Sequence, residues 1–263
     1  MFKGIFAPKP RRAQAPEGVV IYAIGDIHGR ADLLERLIAA IKRDNDHTAA
    51  RGVIVGLGDY IDRGGDSRAV IDQLIALQQS PDFDCRFLCG NHEEVLLDFL
   101  RSPKVGARWR QFGGRECLSS YGVLLLAEVD EGGWTTVRDE FAAALPAAHL
   151  EFLRSLESSL SLGEYFFSHA GARPGVALKD QVNGDLLWIR EPFLSHKGAF
   201  EQVVVHGHSV KPDVHLDARR IGIDTGAYAT GVLTALRLEG STLGLFQTDR
   251  SREGATFSTV AAR

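Results

Sequence analysis

Residues 19–29 read VVIYAIGDIHG, an apolar and largely β-branched run that ends abruptly in a polar, glycine-rich turn. A run of this composition bounded by a turn predicts a buried strand over Val19–Ile24. Apolar residues at helical spacing follow over residues 33–41 and predict an amphipathic helix. The segment therefore predicts a strand, a polar loop and a helix in succession.

The same unit occurs twice more along the chain. The second copy leads into the loop GDYIDRG at residues 58–64, and the third leads into GNHE at residues 90–93. The predicted strands and helices of these copies span residues 53–55, 70–77, 87–88 and 95–100. Three successive units of this kind predict a parallel sheet covered on both faces, with the functional loops beyond the carboxyl ends of its strands.

The second half of the chain has a different pattern. Residues 103–160 show mainly helical periodicity, interrupted at Gly113 and Gly114, and predict a helical insertion at one edge of the site, a candidate specificity cap. Short β-type runs then occupy residues 165–168, 203–205, 220–223, 231–237 and 243–247. They predict a second, mixed or antiparallel sheet, and hence an α/β fold of two packed mixed β-sheets flanked by α-helices.

One catalytic domain is assigned to residues 19–250. Residues 1–18 contain four basic side chains and three prolines, a composition typical of a mobile basic tail, and residues 251–263 are assigned to a C-terminal tail. The first 18 residues contain no long apolar segment. Neither a secretory signal nor a transmembrane span is therefore predicted.

The composition limits the possible classes of function. Of the 263 residues, 44% are hydrophobic, enough for a sizeable core, and the formal net charge of -4 does not favour nucleic acid as a partner. Cys85, Cys89 and Cys117 have no Cys-x-x-Cys spacing, so neither a disulfide framework nor a structural zinc site is indicated. Reduced thiols, no membrane association and a cytoplasmic location are predicted.

Side chains suited to bind a metal ion stand at five predicted strand ends. Each, taken singly, is more typical of a turn, a helix cap or a packed histidine. Their recurrence at strand ends that one fold brings together favours a shared metal centre instead. The candidate ligands are Asp26, His28, Asp59, Asn91, His169 and His208.

The loops GDIHG, GDYIDRG and GNHE, together with His169 and Gly207-His208, match the motifs of a known family at every defined position. On these residues the sequence resembles the PPP-type phosphoprotein (serine/threonine) phosphatases of the calcineurin-like metallophosphoesterase superfamily, especially the bacterial and phage branch. The resemblance spans residues 19–226. It implies a binuclear metal centre in which Asp59 bridges the two ions.

The resemblance implies a role for each motif residue. One divalent cation is expected on Asp26, His28 and Asp59, and the other on Asp59, Asn91, His169 and His208. His92 is expected to act as the general acid, oriented by Asp62. Arg63 and, on a less strict alignment, Arg190 are expected to bind the phosphoryl oxygens.

The chemistry of these residue types agrees with the implied roles. Two cations roughly 3.5–4 Å apart lower the pKa of a bridging water, so that a hydroxide attacks phosphorus directly at neutral pH. Ligands that are all nitrogen or oxygen favour Mn²⁺, with Fe or Zn²⁺ as alternatives. The resemblance implies phosphoester substrates, with phosphoserine and phosphothreonine in proteins first. Symmetrical hydrolysis of diadenosine tetraphosphate is the alternative, and a phosphoprotein-binding module without turnover is a third hypothesis.

Several residues near the motifs receive other predictions. His206 is assigned to packing or to support of a ligand, and Asp224 either supports a ligand histidine or closes a turn. Trp109 with Gly113-Gly114 resembles a Trp-x-x-Asn-Gly-Gly element of bacterial relatives, except that Phe112 replaces the asparagine. The remaining histidines without a partner pattern are assigned to the surface: His47, His149, His196 and His215.

Overall fold

The computed structural model describes residues 13–126, 128–249 and 254–260. Its strands, in chain order, are β1 Val19–Ile24, β2 Arg51–Gly56, β3 Asp84–Phe87, β4 Ser159–Leu162, β5 Tyr165–Ser168, β6 Val203–His206, β7 His215–Leu216, β8 Arg220–Gly222, β9 Thr234–Glu239, β10 Thr242–Thr248 and β11 Ala255–Thr259. Its α-helices are α1 Ala31–Asn45, α2 Ser67–Gln78, α3 Asn91–Arg101, α4 Gly106–Trp109, α5 Arg115–Ser120, α6 Glu131–Ala144, α7 Ala147–Ser155, α8 Asn183–Trp188 and α9 Ala227–Thr230.

These strands form two mixed sheets. The first has the order β11-β10-β9-β1-β2-β3, in which β1, β2 and β3 are parallel and β9 is antiparallel to β1. The second has the order β4-β5-β6-β8-β7, in which β5, β6 and β8 are parallel. The α/β prediction of two packed mixed sheets is confirmed. One cover of the first sheet is thus the second sheet, and the other is helical.

Strand β1 shows how the layers are held together. Its alternate residues Val20, Tyr22 and Ile24 lie in an apolar cluster with the helices, whereas Ile21 and Ala23 lie in the cluster shared with the second sheet. Successive side chains of a strand point to opposite faces, so a strand between two apolar layers needs an uninterrupted apolar run. This explains why VVIYAI shows no polar alternation.

The structure corrects both predicted tails. Residues 255–259 form β11, which pairs antiparallel with β10 and sets Phe257 opposite Phe246. At the other end, residues 1–12 of the predicted mobile tail lie outside the described residues, but Ala15 is buried and its N–H donates to Gly240 O at 2.9 Å. The exposed polar residues of β11 gave no strand signal, because an edge strand buries little.

The predicted insertion is mainly helical from residue 103 to residue 155, with non-helical connections that include residues 121–126 and 128–130. It contains α4 to α7 and a π-helical turn over Arg110–Gly114, within which Gly113 has φ +100°. Its predicted last residues are not helical, because Ser159–Leu162 forms β4 of the second sheet. Of the described helices, none combines the length and apolar character needed to cross a membrane.

Candidate metal centre

The structure brings the six predicted ligands together at the carboxyl ends of the strands. Each side chain is buried although each is polar. The first three loops follow the parallel strands β1, β2 and β3, and the later two follow β5 and β6. The residues are Asp26, His28, Asp59, Asn91, His169 and His208.

Asp59 lies between two groups of histidines. Its Oδ2 lies 3.5 Å from His28 Nε2, and its Oδ1 lies 3.3 Å from His169 Nε2. Two sets of side chains have their ligand atoms within 4.8 Å of one another: His28, Asp59 and His92 in one, and Asp59, His169 and His208 in the other. Because Asp59 belongs to both sets, its carboxylate is placed to bridge two cations.

The orientation of the imidazoles suits metal binding. His28 Nδ1 lies 2.8 Å from Ile61 O, and His169 Nδ1 lies 2.9 Å from Leu57 O. A proton on each Nδ1 satisfies the carbonyl and leaves the Nε2 lone pair directed at Asp59. Burial lowers the pKa of His28 to about 3 and that of His208 also to about 3, so these rings are neutral at pH 7.

The donor set fits a pair of divalent cations. The Nε2 atoms of His92 and His208 are buried without a hydrogen-bond partner, as is Oδ1 of Asp62. His169 Nε2 lies 2.9 Å from Asn91 Oδ1, so an amide oxygen joins the second group. Buried carboxylates and neutral imidazoles without enough cationic partners form an environment that positive ions stabilise.

Backbone strain is concentrated in the same loops. The non-glycine residues with positive φ in the described parts of the chain are all motif residues, and such conformations cost about 1–3 kcal/mol each. Strain of this kind persists where the surrounding structure imposes it, most often at functional sites. The residues are His28 (48°), Asp59 (53°), Asp62 (71°), Arg63 (64°) and His208 (60°).

Asp26 contacts the backbone of another ligand loop. Both of its oxygens accept from the backbone N–H of His208, at 3.2 and 3.0 Å, and it belongs to neither three-residue set. Burial and the neighbouring Asp224 carboxylate raise the pKa of Asp26 well above its usual range. Asp224 thus faces Asp26 rather than a ligand histidine, and it also closes a turn by accepting from Gly226 N at 2.9 Å. A ligand role for Asp26 stays a prediction.

His92 and Asp62 form the expected pair. His92 Nδ1 lies 2.6 Å from Asp62 Oδ2, and both side chains are buried. Burial lowers the pKa of His92, but the Asp59 and Asp62 carboxylates outweigh that effect and raise it above its usual value. The free Nε2, 3.8 Å from Asp59 Oδ2, therefore belongs to an imidazole that is easily protonated.

Sequence analysis missed the contact of a third residue, Trp109, with this pair. The indole N–H of Trp109 donates to the same Asp62 Oδ2 at 2.9 Å, and the ring is fully buried. The carbonyl of Gly113 accepts from Arg63 N at 3.2 Å, and a Cβ at Gly113 would lie 2.5 Å from that nitrogen. The Trp-x-x-x-Gly-Gly spacing was the available signal. In the structure, Trp109 and Gly113 contact the motif residues Asp62 and Arg63.

Glu93 organises the loop after β2. One oxygen accepts from Asp59 N at 2.8 Å and Gly90 N at 2.9 Å, and the other accepts from Tyr60 N at 2.8 Å and Ile61 N at 3.3 Å. Its side chain is completely buried. The GNHE motif thus supplies not only Asn91 and His92 but also the acceptor that fixes the bridging loop.

The two predicted phosphate-binding arginines reach the centre from separate loops. Arg63 Nη1 donates to His28 Nε2 at 2.9 Å, and its guanidinium carbon lies 4.9 Å from the centre of the Tyr228 ring. Arg190 Nη2 donates to His208 O at 3.4 Å. Both guanidinium groups therefore contact residues of the metal centre.

Two further histidines test the remaining predictions. His206 packs against the Phe193 ring at 4.9 Å and lies 3.1 Å from Arg220 Nη1, which agrees with a packing role. The surface assignment of His149 is wrong, because its ring is buried between Tyr121 Oη and Asp72 Oδ1, each at 2.9 Å. Its partners lie far away in sequence, so no local pattern indicates them.

Comparison with known proteins agrees with this geometry. The family model described as calcineurin-like phosphoesterase matches residues 19–231. The chain is 27% identical over 237 residues to serine/threonine-protein phosphatase 1 of Salmonella typhimurium, covering 87% of this chain and 96% of that protein. It is 39% identical over 113 residues to a symmetrical bis(5'-nucleosyl)-tetraphosphatase of Acidovorax sp., covering 43% of this chain.

The coverage of these relatives differs. The chain spans only 25% to 34% of the length of the symmetrical tetraphosphatases that it matches. Among solved structures, a cold-active protein-tyrosine phosphatase from a psychrophilic Shewanella species superposes with a TM-score of 0.58 at 17% identity, over 94% of this chain and 83% of the other, which supports the fold. Since the family model covers all five strand-end motifs and the fold places their ligands in one buried centre, the chain belongs to the calcineurin-like phosphoesterase family of metal-dependent phosphoester hydrolases.

Proposed function

We propose that this phosphoesterase cleaves phosphomonoesters, with phosphoserine and phosphothreonine side chains of proteins as its substrate class. The observation that carries this proposal is the His92 pair. Asp62 holds Nδ1, while Nε2 is buried without a partner beside Asp59. Cleavage of an alkyl phosphoester needs a proton at the departing oxygen, and we assign the donation of that proton to His92 Nε2.

Each side chain then has a defined task. His28, Asp59, Asn91, His169 and His208, with Asp26 as a further candidate, would hold two divalent cations, of which Mn²⁺ is the best candidate. When bound, such cations supply a nucleophile from water and offset the charge of the phosphoryl oxygens. Arg63 and Arg190 bind phosphoryl oxygens through their planar donors. His92 donates its Nε2 proton while Asp62 stabilises the charged ring.

The substrate class is supported by the extent of the similarity. The match to the Salmonella serine/threonine-protein phosphatase extends over almost the whole of both chains. The second candidate is symmetrical hydrolysis of a dinucleoside tetraphosphate, which the higher identity over 113 residues favours. We also propose that the enzyme acts in the cytoplasm on phosphoproteins, without nucleic acid or membrane as a partner.

Steady-state assays with Mn²⁺ separate these candidates. We expect kcat/KM for phosphoserine peptides to exceed that for diadenosine tetraphosphate, and p-nitrophenyl phosphate to be cleaved as well. A much faster reaction with the tetraphosphate would replace the first candidate by the second. No hydrolysis of any of these substrates would contradict a phosphoesterase acting on monoesters.

The role of His92 is tested by His92→Asn. Loss of a general acid is expected to lower kcat for a phosphoserine peptide by about 10²–10⁴-fold while two metal ions remain bound. Metal content is measured by mass spectrometry on the same preparation. If metal content falls together with activity, His92 is a ligand, as its place in the set with His28 and Asp59 would allow.

A further inference from the structure

Arg108 lies between two aromatic rings that adjoin the metal centre. Its guanidinium carbon lies 5.7 Å from the centre of the Phe112 ring and 5.4 Å from that of Trp188. The Phe112 ring lies 6.3 Å from the His92 ring, and the Trp188 ring lies 6.4 Å from the His208 ring. The Phe112 ring therefore lies between Arg108 and His92, and the Trp188 ring lies between Arg108 and His208.

The charge of Arg108 is not neutralised by the protein. The Arg108 side chain is exposed, and it forms no ion pair within the described ranges of the chain. The carboxylate of Glu94, on the adjoining helix α3, instead accepts from the indole N–H of Trp188 at 2.6 Å. A cation without a carboxylate partner, beside a phosphoester site, attracts anions.

Contact with the rings also prepares Arg108 for binding. A guanidinium beside aromatic rings keeps N–H donors available, and these match the oxygens of a phosphate or carboxylate. A free arginine side chain loses considerable rotamer freedom when it binds. Because Phe112 and Trp188 already restrict Arg108, part of that cost is met before an anion arrives.

We propose that Arg108, Phe112 and Trp188 form an anion subsite that binds a second anionic group of the substrate, next to the phosphoryl group that is cleaved. This proposal rests on the proposed phosphoesterase function, in which the metal centre, Arg63 and Arg190 bind the scissile phosphoryl group. The second group is either a neighbouring phosphate of a polyphosphate or an acidic side chain beside a phosphorylated residue. Both present oxygens to the same fork of donors.

The test is Arg108→Met in the full chain with Mn²⁺, because methionine keeps a long apolar stem against the rings. Substrates are p-nitrophenyl phosphate, diadenosine tetraphosphate, and two phosphoserine peptides that differ by Asp or Asn next to the phosphoserine. We expect kcat/KM to fall about tenfold for a substrate with the second anion and to change less than about twofold for the others. Arg101→Met, which removes an exposed arginine paired with Asp98, is the matched control.

The pattern of losses identifies the source of the anion. A loss confined to the tetraphosphate indicates a phosphate, and a loss confined to the Asp peptide indicates an acidic side chain. Equal losses on all substrates, or no loss on any, would overturn the subsite. Calorimetric binding of methylenediphosphonate against inorganic phosphate at fixed Mn²⁺ gives a readout independent of turnover: Arg108→Met should weaken only the diphosphonate. Unchanged binding of the diphosphonate excludes a phosphate as the second group, and unchanged binding of the Asp phosphoserine peptide as well overturns the subsite. Absence of hydrolysis of every substrate would separately refute the proposed function.

Discussion

Replacement of Trp109 by phenylalanine should weaken the chemical step without disturbing the metal ions. Phenylalanine keeps an aromatic ring next to Phe99 and Phe141, whose ring centres lie 5.0 and 5.7 Å from that of Trp109. It removes the indole N–H that donates to Asp62 Oδ2 at 2.9 Å. That oxygen also contacts His92 Nδ1 at 2.6 Å. The indole N–H and His92 therefore share one acceptor, and this acceptor orients the His92 ring.

The size of the effect follows from this bond. A hydrogen bond to a charged group contributes about 1.5–3 kcal/mol. The other carboxylate oxygen, Asp62 Oδ1, has no hydrogen-bond partner that could compensate for the lost bond to Oδ2. If that stabilisation serves to orient His92, kcat falls about 10- to 100-fold, since 1.36 kcal/mol corresponds to a tenfold change. An alkoxide leaving group needs the proton of His92, whereas p-nitrophenolate leaves with little assistance. The fall should therefore be large for a phosphoserine peptide and within about threefold for p-nitrophenyl phosphate.

Steady-state kinetics on both substrates, with metal content measured in parallel, tests this reasoning. Trp134→Phe is the matched control, because Trp134 is also buried and packs on Phe99 at 6.1 Å. It should leave both reactions near the wild-type rate. Equal losses of kcat on the two substrates would mean that Trp109 only supports the fold. An unchanged rate for the phosphoserine peptide would refute a positioning role.

Three further outcomes are expected. Asp59→Asn keeps a residue type that tolerates the φ of 53° but lacks the charge, so metal analysis should find fewer than two ions bound. Glu93→Gln turns an amide NH₂ toward two of the four backbone N–H donors that Glu93 accepts from, and should lower the free energy of unfolding by about 2–6 kcal/mol. The Tm at pH 8 should therefore fall by at least about 5 °C. Burial and Asp84 raise the pKa of Cys85 to about 12, so iodoacetamide at pH 8 should alkylate it more than about 100-fold slower than a free thiol.

The sequence predicted the three parallel strands of the first sheet and the ligand loops because local rules govern both. It assigned residues 231–237 and 243–247 to the second sheet, whereas β9 and β10 pair in the first. Strand β1 is apolar on both faces, and each parallel strand of the first sheet ends in a glycine-flanked polar turn. Strand ends of one parallel sheet meet at a common edge, so placing the strands also placed the loops. This explains why the loops that carry His28, Asp59 and Asn91 meet as predicted. His169 and His208 follow β5 and β6 of the second sheet, so their approach to Asp59 also depends on how the two sheets pack.

Contacts between distant elements could not be predicted in this way. The bond from Trp109 to Asp62 joins residues 47 positions apart, and that between His149 and Asp72 joins residues 77 apart. Neither pair has a characteristic spacing, because both depend on how the inserted helices lie on the first sheet. The contact between Asp26 and His208 could not be predicted for a related reason. The distance from Asp26 to the His208 N–H is set by two loops from separate sheets.

The residues of the inserted segment are constrained in different degrees. Trp109 and Gly113 contact Asp62 and Arg63, so their substitution disturbs the Asp62–His92 pair or the backbone of Arg63. Arg108 and Phe112 occupy the same turns, and in the proposed subsite a change at either residue would alter which groups bind beside the phosphoryl group. Substrate range can therefore change at positions 108 and 112 without loss of the chemistry. Phe112, which stands where the resembling motif has asparagine, occupies one of these two positions.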